Sequence, residues 1–380
     1  MTRLNDSMIF VFNKICTKKQ GESMMNTKKV KSIYTIAASL MTMLLVFACG
    51  GGGGSSSSGG GKNSRVYETA EQVVDTIFEG AANEIQFAFR YVPKGRFNIN
   101  GGWNSDEVEP AGTILTMGHT KGYLMAETQV TQELWEAVMG STLVTNSGTT
   151  ANLTEGEVQS QRPVDKVSWY HAIAFCCELS LLAGLTPVYE IEDVTWGETY
   201  TFPSTAAEQT KWNNANIIDG ANGYRLPTDM QWWWAAMGAD TEDPGELNET
   251  GYRKMFSGAH KVEAVVEAGD ERVIGDYAWY SGNSNSTSHQ VGKKLPNELG
   301  IYDMTGNVVE WVWDRHMITY AITEGEDDYQ GLSGDGQRGG RGGRNNSNDT
   351  RWSRIANRGF GSQPNSPQAY TGMRLVRNAN

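Results

Sequence analysis

Among side chains that could do chemistry, sulfur is the informative one in this 380-residue chain, because there is so little of it. Only Cys176 and Cys177 fall beyond residue 50, and no cysteine follows them. A disulfide between sequence neighbours is strained. Both thiols lie in Trp169-Tyr-His-Ala-Ile-Ala-Phe-Cys-Cys-Glu-Leu-Ser180, whose apolar spacing predicts an amphipathic helix, so at least one is expected to be buried and structural. His119, His171, His260, His289 and His316 show no metal-ligand spacing, and no paired carboxylates or nucleophile motif stands out. Glu310 does stand out, set among Val308, Val309, Trp311, Val312 and Trp313. A carboxylate in so apolar a run needs a cation, backbone donors or an arginine to offset its desolvation.

A third cysteine, Cys49, carries a different chemistry. Lys28, Lys29 and Lys31 precede an apolar run from Ile33 to Ala48, the charge-then-apolar order of an export signal, expected over residues 1–48 with translation starting at Met24 or Met25. The run is short for a membrane span. Cys49 at its end resembles a bacterial lipobox, although Phe47 departs from the small or aliphatic residue usual there. Lipidation of Cys49, with a Gly/Ser tether over residues 49–64, would hold the domain at a membrane surface without spanning it. The expectation is an exported bacterial lipoprotein of the cell envelope, displayed on the outer surface. Residues 1–48 carry seven Lys/Arg against two Asp/Glu, so their removal takes the formal charge from −12 to −17. A phosphate-binding surface needs a basic stripe, and nucleic acid is excluded as a partner.

Residues 65–380 are expected to form one domain. Residues 65–88 suggest a helical lead-in; Phe89 to Phe97 and Gly112 to Gly118 alternate as strands do. Helices are expected after Thr131 as N-cap, near 168–183, and at 228–238 behind Pro227 with Thr228 or Asp229 as cap. Beyond them, short apolar runs and turn residues dominate, ending in Gly372 to Val376. Few helices, many short strands and much loop make an α+β domain, with most of the 12 tryptophans in the core.

Several blocks carry a family resemblance in order and spacing: Glu127-Thr-Gln-Val-Thr131, Arg162-Pro-Val-Asp-Lys-Val-Ser-Trp169, Gly223-Tyr-Arg-Leu-Pro-Thr-Asp-Met-Gln-Trp232, Leu299-Gly-Ile-Tyr-Asp-Met-Thr-Gly-Asn-Val-Val-Glu-Trp311, Arg341-Gly-Gly343 and Gly372-Met-Arg-Leu375. Together, over roughly residues 90 to 377, the chain resembles the formylglycine-generating-enzyme (sulfatase-modifying factor) family. The resemblance implies a C-type-lectin-like fold. It also implies a structural calcium site from the side chains of Asp303 and Glu310 and the carbonyls of Gly306 and Val308, a hard oxygen set that suits Ca²⁺. The other reading of Glu310 is a carboxylate satisfied by arginine or backbone N–H. No cofactor is required. The family's second calcium site has no match, because Tyr280 to His289 reads as a shortened Ser/Asn loop.

The family's enzyme oxidises a substrate cysteine with two cysteines of its own, placed after Arg-Gly-Gly, that bind copper. Ungapped counting puts Ser347 and Trp352 at those positions. Without soft thiolates there is nothing to hold Cu(I), so the chain is not expected to be an enzyme. A degenerate or divergent envelope enzyme of the same family is the alternative.

Cysteine-less members ending in Arg-Gly-Gly, an Asn-rich stretch and Ala-Asn-Arg resemble targets of diversity-generating retroelements, whose reverse transcriptase randomises adenines in a C-terminal repeat. The resemblance implies a variable region at about 340–380, with Asn346, Asn348, Asp349, Ser353, Gly359, Phe360, Gly361, Ser362, Ala369 and Tyr370 as variable contacts. Trp352 would be a fixed contact, and Gln363 and Gln368 also fixed, since adenine-adenine-pyrimidine codons never yield Trp or Gln. Exposed Asn, Ser, Asp, Phe and Tyr combine adaptable hydrogen-bonders with aromatic anchors, as a paratope does. The expected ligand is a protein or glycan on another surface.

Overall fold

In the computed structural model, the described residues are 71–100, 114–140, 146, 153–239, 255–259, 273–316, 327–331, 334–346, 350–358 and 360–379. The expected signal, Cys49 and the tether lie outside them.

Strand β1 (Gln72–Ile77) pairs antiparallel with β2 (Ile85–Val92). A helical lead-in was expected here. The β-branched residues Val73, Val74, Thr76 and Ile77 favour strand, and Ile77 and Phe89 bury fully only when the two segments stack side by side. β2 stops before Pro93, and β3 (Gly95–Asn100) turns away to pair with β4 (Ile114–His119). β5 (Tyr123–Ala126) returns beside β2, and β12 (Val376–Asn378), near the end of the chain, closes an antiparallel sheet in the order β1-β2-β5-β12.

The first two helices meet the sequence expectation closely. Helix α1 (Gln132–Met139) starts at Thr131, whose hydroxyl accepts from the Leu134 N–H. α2 (Trp169–Leu182) starts at Ser168 with a reciprocal bond from His171. Expected to be amphipathic, α2 buries ten residues spread around its axis because other elements enclose it on nearly all sides. Cys176 and Cys177 are among them, both free thiols. Burial raises both thiol pKa values, the buried structural state expected for at least one. α3 (Ala206–Asn213), which the sequence reading did not mark, has its own capping box from Thr205 and Glu208. α4 (Asp229–Ala236) begins at Thr228, and all its residues are buried, Trp232, Trp233 and Trp234 included. β6 (Tyr189–Glu190) pairs with β7 (Asn216–Ile217), and a four-residue helix, α5 (Ile274–Tyr277), precedes the second main sheet.

That sheet runs β10-β9-β8-β11: β8 (Val309–Arg315) is central, β9 (Arg338–Arg341) and β10 (Phe360–Ser362) join antiparallel, and β11 (Thr371–Met373) lies parallel to β8 on its other side. Parallel pairing of β11 carries the chain from β10 across the sheet, so residues 363–370 become a surface connection. Aromatic packing closes the core: Tyr189 stacks on Trp313 at 4.7 Å, and Trp135 on Phe175 at 5.1 Å. Few helices, many short strands and much loop make this an α+β domain, as the sequence led one to expect. No helix among the described residues is long and apolar enough to cross a membrane.

Candidate recognition surface and the network beneath it

At the middle of β8, Glu310 is fully buried. The parallel register sets Gly372 beside it, two residues before Arg374, which is also fully buried. The Arg374 Nε lies 3.2 and 3.0 Å from the two Glu310 oxygens and its Nη2 lies 2.8 Å from Oε1. The rest of the guanidinium donates to the carbonyls of Ala126 at 2.9 Å and Tyr302 at 2.7 Å. Trp232 Nε1 donates to Glu310 Oε2 at 2.7 Å, and the Gln129 amide donates to Oε1 at 2.9 Å. The arginine-satisfied reading of Glu310 is the arrangement present.

The calcium reading gathers the same residues but fits them poorly. The carbonyls of Asp303, Gly306 and Val308 do converge with Glu310 Oε1, and the point on which they converge is Gln129 Nε2, at 3.3, 3.4, 2.9 and 2.9 Å. Calcium binds oxygens at about 2.3–2.6 Å and would displace this amide next to a guanidinium. Asp303 Oδ2 accepts from the Gly292 N–H at 2.8 Å, its Oδ1 is buried without a protein partner, and burial pushes its carboxyl up to about 6. The sequence reading missed Gln129, although it sits in the first block that carries the resemblance.

A second buried cluster anchors the C-terminal loops. Asp229, the first residue of α4, pairs with Arg341 of β9 and with Arg358, the latter at 2.8 Å. Arg341 also donates to the carbonyls of Ile355 at 3.0 Å and Asn357 at 3.1 Å. Asp314 accepts the Asp229 N–H at 2.5 Å, and desolvation first, then the Asp229 charge, push its carboxyl up to about 7. The segment Ala356-Asn-Arg358 is thereby tied to the core between two stretches of expected variable residues. Asp229 was noted as a cap and Arg341 as part of a block, but nothing in one sequence joins them.

A third set of contacts supports the start of the variable stretch. The Asn345 amide donates to the Asn307 carbonyl at 2.8 Å, and the Ser284 hydroxyl donates to the Asn345 carbonyl at 2.6 Å. Tyr370 donates its N–H to Asp165 at 2.8 Å and its hydroxyl to the Ser286 carbonyl at 3.2 Å.

The expected contacts divide by burial. Trp352, on a 3-10 turn over Thr350–Ser353, is 48% exposed, and Ala369 is exposed. Asn346, Phe360, Gly361 and Tyr370 are half-buried. Phe360 meets Trp311 edge-on at 5.5 Å, and a Cβ on Gly361 would run into the His316 ring. Ser353 and Ser362 are buried, the first against Gly343 and the second in register with Arg338 on β9, so neither presents its present side chain to a partner. Asn348, Asp349 and Gly359 lie outside the described residues. Gln363 is exposed and Gln368 half-buried.

Comparison with known proteins places this architecture. Treponema denticola variable protein 1 superposes with a TM-score of 0.60 at 30% identity, over 81% of this chain and 99% of that one. PvdO from Pseudomonas aeruginosa shares the fold, with a TM-score of 0.51 at 19% identity over 80% of this chain and 98% of its own. The chaperone protein LppX of Paenibacillus barcinonensis is 35% identical over 201 residues, 51% of this chain, which thus spans only 62% of that relative's length. A model of the sulfatase-modifying factor enzyme 1-like domain matches residues 57–379, and the chain belongs to that family.

Proposed function

We propose that this protein is a surface-displayed ligand-binding lipoprotein, lipidated at Cys49, whose C-terminal loops form a sequence-variable recognition site diversified by a retroelement. The observation that carries the reading is the likeness to a Treponema variable protein over nearly that protein's whole length. The loops themselves support it. Trp352 offers a large aromatic surface, and Gln363 and Ala369 are exposed on the same C-terminal stretch. An exposed indole together with exposed polar side chains suits a protein or glycan ligand. Tyr370 adopts φ 58°, a region where Asn, Asp and Gly cost less than other residues, and adenine-adenine-pyrimidine codons supply those three. The absence of any cysteine after Cys177 favours binding over the copper chemistry of the family's enzyme.

Sequencing the 3′ end of the gene from many cells tests the proposal. Substitutions should concentrate at the codons for Asn346, Asn348, Asp349, Ser353, Gly359, Phe360, Gly361, Ser362, Ala369 and Tyr370 and spare Trp352, Gln363 and Gln368. A clonally invariant stretch from Asn345 to Tyr370 would sink it.

A further inference from the structure

We infer that the loop from Asp303 to Glu310 is closed by an internal side-chain amide, that of Gln129, in the position a cation would take, and that the fold therefore stands without calcium. This inference is independent of what the C-terminal loops recognise. Three backbone carbonyls and one carboxylate oxygen point at a single spot, and four such oxygens facing one another repel unless something positive lies between them. A divalent ion would answer that need from outside the chain. Gln129 answers it from within: its NH₂ carries two hydrogens, which serve Val308 O and Glu310 Oε1 at 2.9 Å and leave Asp303 O and Gly306 O at 3.3 and 3.4 Å as weaker electrostatic neighbours.

The orientation of the amide follows from the same electrostatics. With Oε1 turned into the cage, five oxygens would crowd together with no proton among them. Turned outward, Oε1 has no partner, a lesser cost than the repulsion it avoids. The negative charge needs no ion either, because Arg374 spans both Glu310 oxygens and Trp232 takes one of them. A calcium here would sit beside a guanidinium already neutralising its only charged ligand in the cage.

Position 129 thus decides whether the cage is self-sufficient. Glutamine supplies a donor; glutamate at the same place would add a fifth oxygen and a second charge, turning the cage into a hard-oxygen cation site. Calcium and terbium are the probes, because Trp232 touches Glu310 and would sensitise the luminescence of a lanthanide bound there.

The full chain, purified in detergent, should melt at the same temperature in chelator and in millimolar calcium. Excitation of tryptophan should give no saturable terbium emission. Gln129→Glu should gain both a calcium-dependent rise of several degrees and saturable emission. Gln129→Met, which keeps the length but removes the donors, should melt lower than the unmodified chain in either condition. The inference is overturned by a calcium-dependent rise in the unmodified chain that Asp303→Asn abolishes, or by Gln129→Met melting as high as the unmodified chain.

Discussion

Both oxygens of Glu310 are occupied by donors from Arg374, Trp232 and Gln129, whereas Trp352, Gln363 and Ala369 stand exposed on the C-terminal loops. The two regions are directly linked: the Val309 N–H, one residue before Glu310, donates to the Tyr370 carbonyl. The sheet centre settles its charges internally, while the exposed loop side chains are left to solvent or a ligand. Recognition can then change without touching what holds the fold, provided the anchors between the regions, Asp229 with Arg341 and Arg358, stay in place.

The largest effect is expected at the sheet centre. Arg374→Met leaves Glu310 buried without its guanidinium and should cost about 3–5 kcal/mol, measured by urea denaturation. A loss under 1 kcal/mol would mean that Glu310 does not depend on Arg374, and the contrast between the regions would fail. Removing both ends together in Glu310→Leu with Arg374→Met should recover part of the loss, since no charge is then stranded.

Gly361 probes the border between the regions. Its half-buried position looks variable by the codon rule, yet any side chain must push the His316 ring aside. Gly361→Ala should cost about 1–2 kcal/mol through that overlap. If diversification respects this limit, substitutions at Gly361 will be rarer among natural variants than at Ala369.

A smaller effect comes from Asp314, whose carboxyl is pushed up to about 7 by burial and by Asp229. The folded chain holds this proton more tightly than the unfolded chain, where the carboxyl titrates near 4. Its contribution to stability is therefore fully present below about pH 4, is lost as pH rises from about 4 to 7, and changes no further above that. Asp314→Asn should be stabilising relative to the unmodified chain at pH 8, with the difference shrinking by pH 5. Paired urea titrations of the two chains at both pH values check this, because groups remote from Asp314 and its neighbour Asp229 cancel in the comparison.

How far the sequence could be read follows the same division. Helices α1, α2 and α4 were legible because Thr131, Ser168 and Thr228 mark their starts with local hydrogen bonds to residues three positions on. The β1-β2 hairpin was not, since apolar residues in 65–88 fit either period and only pairing with β5 decides for strand. Glu310 announced its need for compensation through its apolar neighbours. That Arg374 and Gln129 meet it, from 64 and 181 residues away, is a fact of topology that no local pattern encodes. The buried serines Ser353 and Ser362 show the limit of the codon rule: it selects residue types, and burial depends on which face a turn or strand presents.

The smallest effect should fall on the outermost residues. Ala369 is exposed, with a backbone that passes over the surface between β10 and β11. Ala369→Asp, Ala369→Asn and Ala369→Tyr should each change stability by no more than about 0.5 kcal/mol. Trp352→Ala should do the same, because half of its indole already faces water. The informative measurement sets these against Arg374→Met in one denaturation series. A tenfold ratio between the two classes is what a rigid centre beneath replaceable loops requires, about 5 against 0.5 kcal/mol. If Trp352→Ala instead cost several kcal/mol, the indole would be part of the scaffold, and the recognition surface would have to be sought among the remaining exposed residues of 360–370.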